Sequence, residues 1–197
     1  MATRAKTSVA QTKPWPAGTV FTIGHSTLPI ERFIDVLSTY GIEELADIRK
    51  IPKSRRNPQY WSDALDAELK TASIEYVWLE DLGGRRQRAN PDSPNTGWRN
   101  KGFRGYADYM QTDAFREAIE NLVGISLEKR TVIMCAEAVP WRCHRSLVAD
   151  ALCVRGIPVA DIFSETNCKP HKLTPFAHVE GTRITYPPDD EALPFSV

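Results

Sequence analysis

Short β-branched runs alternate along this chain with segments whose apolar residues recur every three or four positions, and this alternation narrows the possible folds more than any other feature. Val20, Phe21 and Ile23 make a strand-like run stopped by Gly24. Ile30, Phe33, Ile34 and Leu37 then follow at helical spacing, closed by Gly41. Leu45 to Ile48 is a second apolar run, Trp61 to Ala72 a second helix with Leu65 and Leu69 on one face, and Tyr76 to Leu79 a third strand. From Leu82 to Gly105 the pattern pauses in a long loop rich in Gly, Asn, Pro and Arg. Tyr106 to Leu127 resumes as one helix through Tyr109, Met110, Phe115, Ile119 and Leu122. Thr131 to Met134 is the most apolar β-branched stretch. A helix through Leu147, Val148, Ala151 and Leu152 follows, and Val159 to Phe163 is the last strand. Such alternation requires right-handed crossovers. The expected fold is therefore α/β: a single domain over residues 19–163, its mostly parallel sheet flanked by helices on both faces. Residues 1–18 are expected to be a disordered tail, and residues 164–197 an irregular C-terminal extension packing on the domain, with a hairpin around Gly181.

Lys plus Arg and Asp plus Glu number 25 each, so net charge argues for neither a nucleic-acid nor a membrane partner, and any such case rests on local clustering. No stretch approaches the ~20 apolar residues of a membrane span, and the N-terminus lacks a secretion signal, which sets the expectation of a cytoplasmic protein with no membrane partner. In that compartment the four cysteines (135, 143, 153 and 168) read as thiols, metal ligands or a redox pair, not as a disulfide framework.

Ligands of open parallel sheets bind beyond the carboxyl ends of the strands. There this sequence carries Gly24-His25-Ser26, Asp47 and Arg49, Leu82-Gly83-Gly84, and Cys135-Ala136-Glu137. Taken singly, each has a bland explanation: His25 and Ser26 as helix caps, Asp47 as the partner of Arg49. Their convergence on one edge reads as a site.

The most informative segment runs from Val132 to Arg145. It sets Cys135 at the end of a buried strand and Arg142 and Arg145 at the start of the next helix, where cations oppose the helix dipole. An anion bound there would resolve the conflict, together with free backbone N–H groups, and the same field would lower the Cys135 pKa. On this reading Arg145 is a ligand whose removal costs little stability. The order strand, Cys, loop, Arg, helix is similar to the anion loops of rhodaneses and thiol phosphatases, but this loop holds Glu137 and no glycine. His144 falls on the inward face with Leu147 and Val148, placing it to act as base or cation partner of a Cys135 thiolate, with Glu137 as general acid or base. His25, Cys135, Cys143 and His144 are also zinc-type donors. Their spacing fits no zinc signature, so metal-free chemistry ranks first and no cofactor is expected. Cys168 and His171, with His178, form a weaker metal candidate whose simplest meaning is coincidence.

Two basic clusters flank the same edge. Arg49, Lys50, Lys53, Arg55 and Arg56 follow the second strand, and Arg85, Arg86, Arg88, Arg99, Lys101 and Arg104 fill the long loop. Basic runs are usually solvated surface. Here Tyr60, Trp61, Trp98, Phe103 and Tyr106 are interleaved, a composition suited to holding nucleotides and single strands.

The ordered set Thr22-Ile23-Gly24-His25-Ser26, Asp47-Ile48-Arg49 with Pro52 and Ser54, Leu82-Gly83-Gly84, Tyr106 to Met110, and Cys135-Ala136-Glu137 followed by Cys143-His144-Arg145 resembles domain of unknown function family 488, over about Thr19 to Phe163. The resemblance implies a compact α/β domain and marks Gly24, His25, Ser26, Asp47, Arg49, Cys135, Glu137, His144 and Arg145 as characteristic positions; it supplies no reaction. The chemistry of the residues favours an enzyme on a phosphate-bearing substrate, a phosphorylated small molecule such as a nucleotide, or nucleic acid. Its expected catalytic groups are Glu137, His144, Cys135, His25 and Asp47. Ser26, Arg49, Gly83, Gly84, Arg85, Arg86, Arg142, Arg145 and Tyr106 are the expected substrate-binding residues. The alternatives are thiol redox or sulfur transfer through Cys135 and Cys143, and a non-catalytic nucleotide or nucleic-acid binding module.

Overall fold

The computed structural model describes residues 15–86 and 90–188. Five parallel strands, β1 (Val20–Gly24), β2 (Glu44–Asp47), β3 (Glu75–Trp78), β4 (Thr131–Cys135) and β5 (Val159–Ser164), carry an antiparallel edge strand, β6 (Asn167–Pro170). Their order across the sheet is β3-β2-β4-β1-β5-β6. The expected single α/β domain is present, and β6 draws the first part of the extension into the sheet.

The pleat divides the core in two. Phe21, Ile23, Leu45, Val132 and Met134 face α1 (Ile30–Thr39) and α2 (Ser62–Thr71). Their neighbours Val20, Ala46, Ile133 and Cys135 face the opposite layer, α3 (Lys101–Tyr109), α4 (Asp113–Glu128) and α5 (Arg145–Cys153). Successive side chains of a strand point to opposite faces, so near-continuous apolar strands such as β4 are the signature of a sheet covered on both sides. The chain winds outward through β2 and β3 on one layer, then returns through β4 and β5 on the other. Connections therefore leave β4 and its neighbours β1 and β2 to opposite faces, opening a crevice at their carboxyl ends.

The single helix expected over Tyr106 to Leu127 is two, and the first begins inside the segment read as loop. Asn100 caps α3, its side chain accepting from the amides of Gly102 and Phe103, and Thr112 caps α4 by accepting from Phe115 N. Asn100 thus starts a helix ahead of the apolar period, and Thr112 starts a new one within a period that continues across the break.

The C-terminal segment is more ordered than the irregular extension expected. β7 (His178–Glu180) and β8 (Arg183–Thr185) form the hairpin on Gly181, whose φ of +62° suits a glycine turn. Beyond it Tyr186 is fully buried and donates to Asp150 Oδ2 of α5 at 2.9 Å, while Gln111 donates to Ile184 O at 2.7 Å. At the other end, Trp15 meets Phe21 edge to face at 5.9 Å. The remainder of the expected tail, residues 1–14, lies outside the described residues, as does Arg88 of the basic loop. No helix among the described residues is long and apolar enough to cross a membrane.

Candidate functional site

A pocket of about 430 Å³ opens at the carboxyl end of β4. Cys135, Cys143 and His144 line it, with Arg49, Lys50, Lys53, Arg85 and Arg142 around it; Glu137 is the one carboxylate residue among the described lining residues. The strand-end residues expected to converge do so, but the pleat sorts them into two clusters on opposite faces of the sheet.

On the α3–α5 side, the 3-10 turn Pro140–Arg142 returns the chain so that Cys143 and His144 come back onto Cys135. His144 Nδ1 lies 3.9 Å from Cys135 Sγ and 3.7 Å from Cys143 Sγ, while its Nε2 donates to Ile48 O at 3.0 Å. That last bond sets the tautomer and leaves the Nδ1 lone pair facing the thiols. A hydrogen bond from Cys143, against the effect of burial and with His144 and Arg145 adding to it, holds the Cys135 thiol well below its ordinary range; Cys143 is correspondingly raised. Both cysteines are buried, as is the Tyr106 ring beneath His144, 5.1 Å away. The three donor atoms lie within 4.8 Å of one another, so this trio is where the protein could hold a soft metal ion. His25, grouped with them from the sequence, faces elsewhere.

On the α1–α2 side, Asp47 is fully buried and saturated: it accepts from Arg49 Nε at 2.9 Å, Arg49 Nη2 at 2.5 Å, Arg49 N at 3.0 Å and Tyr76 Oη at 2.9 Å. It positions Arg49 and has no lone pair left to offer a substrate. His25 stacks on Tyr60 at 4.0 Å, with Nδ1 on Ser26 O at 2.9 Å and Nε2 3.4 Å from Arg49 Nη1. Burial first, then Arg49, pulls its pKa down to about 4. His25 is thus a neutral imidazole packed behind Arg49, which alone of this cluster reaches the pocket wall.

The structure corrects several sequence-based roles. Arg145 is fully buried, donating from Nη1 to Ile23 O at 3.0 Å and Glu137 O at 2.9 Å and from Nη2 to Ala138 O at 3.3 Å. Backbone carbonyls, not a bound anion, answer its conflict with the helix dipole, and it does not line the pocket. Tyr106 is also fully buried, with its hydroxyl on Leu82 O at 2.8 Å. Arg86 lies over the Tyr109 ring and donates to Asp81 O, outside the pocket lining. Ser26 half-buries beside Glu137's loop at a φ of +48°, its amide on Ala136 O. Gly83 and Gly84 serve packing: Gly84 lines the pocket under His144, and a Cβ on Gly83 would stand 2.7 Å from Lys50 Cα. The interleaved aromatics do not form one open stacking surface: Tyr106 joins Tyr60 in the core, and Trp98 and Phe103 are half-buried. Tyr60 is fully buried and Trp98 stacks on Phe103 at 4.6 Å, leaving Trp61 as the exposed one. The Cys168, His171 and His178 candidate dissolves as well, because His171 spends Nδ1 on Asp161 and Nε2 on Asp150.

The family model described as Domain of unknown function DUF488 matches residues 29–152. The chain belongs to the DUF488 family. No curated protein and no solved structure gives a significant match. The DUF488 span takes in the Asp47–Arg49 pair, Gly83-Gly84 and the whole Cys135–Arg145 segment, whereas Gly24-His25-Ser26 precede it. Sequence reading missed Tyr76, which holds Asp47, and Asn100 on the pocket wall, and it read Tyr60 and Phe103 as stacking surface when Tyr60 packs under His25 and Phe103 lines the pocket. The alternation of β3, which points Tyr76 toward the α1–α2 layer, was the available signal for one of them.

Proposed function

We propose that this protein is an enzyme acting on a phosphate-bearing substrate, with Cys135 as its nucleophile. One observation carries the reading: Cys135, its sulfur 3.9 Å from His144 Nδ1, lines a pocket whose wall is cationic. A thiolate is the reactive form of cysteine, and a phosphate dianion is the ligand for which Arg49, Lys50, Lys53, Arg85 and Arg142 are complementary. Cys135 Sγ attacks phosphorus, the ester P–O bond breaks, and the leaving oxygen takes a proton from Glu137. Water then displaces the sulfur, returning its proton to Glu137 and the thiolate to Cys135. The burial of Tyr60 and Tyr106, which leaves Phe103 as the one interleaved aromatic on the pocket wall among the described residues, and the pocket volume favour a mononucleotide-sized ester over an extended strand.

Phosphate release from nucleoside monophosphates and p-nitrophenyl phosphate tests this directly. Turnover that disappears in Cys135→Ser supports it, and absence of both turnover and binding across the panel overturns it. A second reading, thiol redox or sulfur transfer, is favoured by the position of Cys143, whose sulfur lies within 4.8 Å of the Cys135 sulfur. Intact mass spectrometry would then find a persulfide on Cys135, or the loss of two hydrogens that marks a Cys135–Cys143 disulfide.

A further inference from the structure

Four consecutive peptide groups beyond β4 turn their carbonyls toward β1 and α5. Cys135 O accepts from His25 N at 3.0 Å and Ala136 O from Ser26 N at 2.9 Å; Glu137 O and Ala138 O accept from the two ends of the Arg145 guanidinium. In a trans peptide the C=O and N–H of one unit point in opposite directions, and this chain has no cis bond among the described residues. The amides of Ala136, Glu137, Ala138 and Val139 are therefore turned away from β1 and Arg145. None of them donates to a described residue. A continued ladder would offer Ile48 O to Ala136 N, but His144 Nε2 takes that carbonyl. Ala136 and Glu137 themselves line the cationic pocket.

We infer that these amides are the anion cradle of the pocket: a backbone nest for a tetrahedral oxyanion beside the Cys135 sulfur, flanked by Arg49 and Arg142. Successive N–H groups on one side of a loop make such a concavity. Arg145 is then a positioning residue. It grips the carbonyl side of the loop and so presents the amide side, with its own Nε buried and unpartnered among the described residues. Two details show how firmly the loop is held. A Cβ on Gly24 would stand 1.8 Å from Glu137 O, so only glycine lets the loop lie this close. Ser26 adopts a left-handed φ of +48°, a conformation disfavoured for a non-glycine residue, in the turn that sends its amide to Ala136 O.

The inference rests on the phosphate reading above, and amide-resolved NMR of the ¹⁵N-labelled full chain with inorganic phosphate separates the two. Saturable shifts greatest at the amides of Ala136, Glu137 and Ala138 are expected. Arg145→Lys, which keeps the charge but loses the fork, is expected to weaken phosphate binding about tenfold, the equivalent of one charge-assisted hydrogen bond. Saturable shifts confined to the Lys50–Lys53 and Arg85 segments would overturn the cradle and leave the phosphate reading standing. No shift anywhere would overturn both. The wild-type titration decides these outcomes even if the Arg145 variant does not fold.

Discussion

A β-carbon on Gly84 would stand 2.3 Å from Nδ1 of His144. Gly84 is thus the seat of the histidine ring, fixing Nδ1 toward the two sulfurs while Nε2 holds Ile48 O. Gly84→Ala is expected to push the ring off this seat, costing about 1–3 kcal/mol of stability as overpacking does. It should also slow Cys135 alkylation at neutral pH. A denaturant melt and a labelling rate on the same variant check both.

Arg145→Ala is expected to destabilise the fold as severely as Leu147→Ala, by about 3 kcal/mol or more, because it leaves a cavity and strips the donors from the buried Ile23 carbonyl and from Glu137 O. This reverses the expectation drawn from the helix dipole alone. Urea melts of the two variants side by side give the answer; an Arg145→Ala melt matching wild type would mean the guanidinium is dispensable to packing.

The four thiols should label in a set order. Cys135 is held toward the thiolate by Cys143, whereas burial pushes Cys153 up to about 11 and Cys168 up to about 12. Iodoacetamide at neutral pH is expected to modify Cys135 first. Cys143→Ala removes the hydrogen bond that favours the thiolate and should move the Cys135 alkylation profile to higher pH, read by peptide mass spectrometry across a pH series.

His171 should make stability fall in mild alkali. Burial by itself would lower its pKa, but bonds to Asp150 and Asp161 win and raise it from 6.5 to about 9. The folded state binds the proton more tightly, so the stabilisation is complete below pH 6.5 and lost as pH rises through 9. Its scale is on the order of 3 kcal/mol. Thermal melts between pH 6 and 10 should show the fall in wild type and a flatter profile in His171→Asn, whose side chain does not titrate.

Much of this protein was legible in one dimension. The alternation of periods determined the α/β class, since β4 is apolar on both sides of its pleat and can only be covered on both faces. The polar residues at the strand ends then marked the edge where Cys135, Arg49 and Glu137 meet. Helix limits were less legible: Asn100 starts a helix inside the segment read as loop, and Thr112 starts another within an apolar period that runs on across the break.

What only the tertiary structure decided is which groups each charge answers. The sequence determined that Arg145 sits in a first helical turn with its charge opposed to the dipole, but not that carbonyls from Ile23, Glu137 and Ala138 meet there to satisfy it. Likewise Tyr76 reaches the Asp47–Arg49 pair from the neighbouring strand, and Cys135 meets His144 only after the Pro140 turn. Periodicity is local, set by the backbone repeat of a single element. Hydrogen-bond partners 29 or 122 residues apart are chosen by sheet order and register, which exist only once the layers have packed.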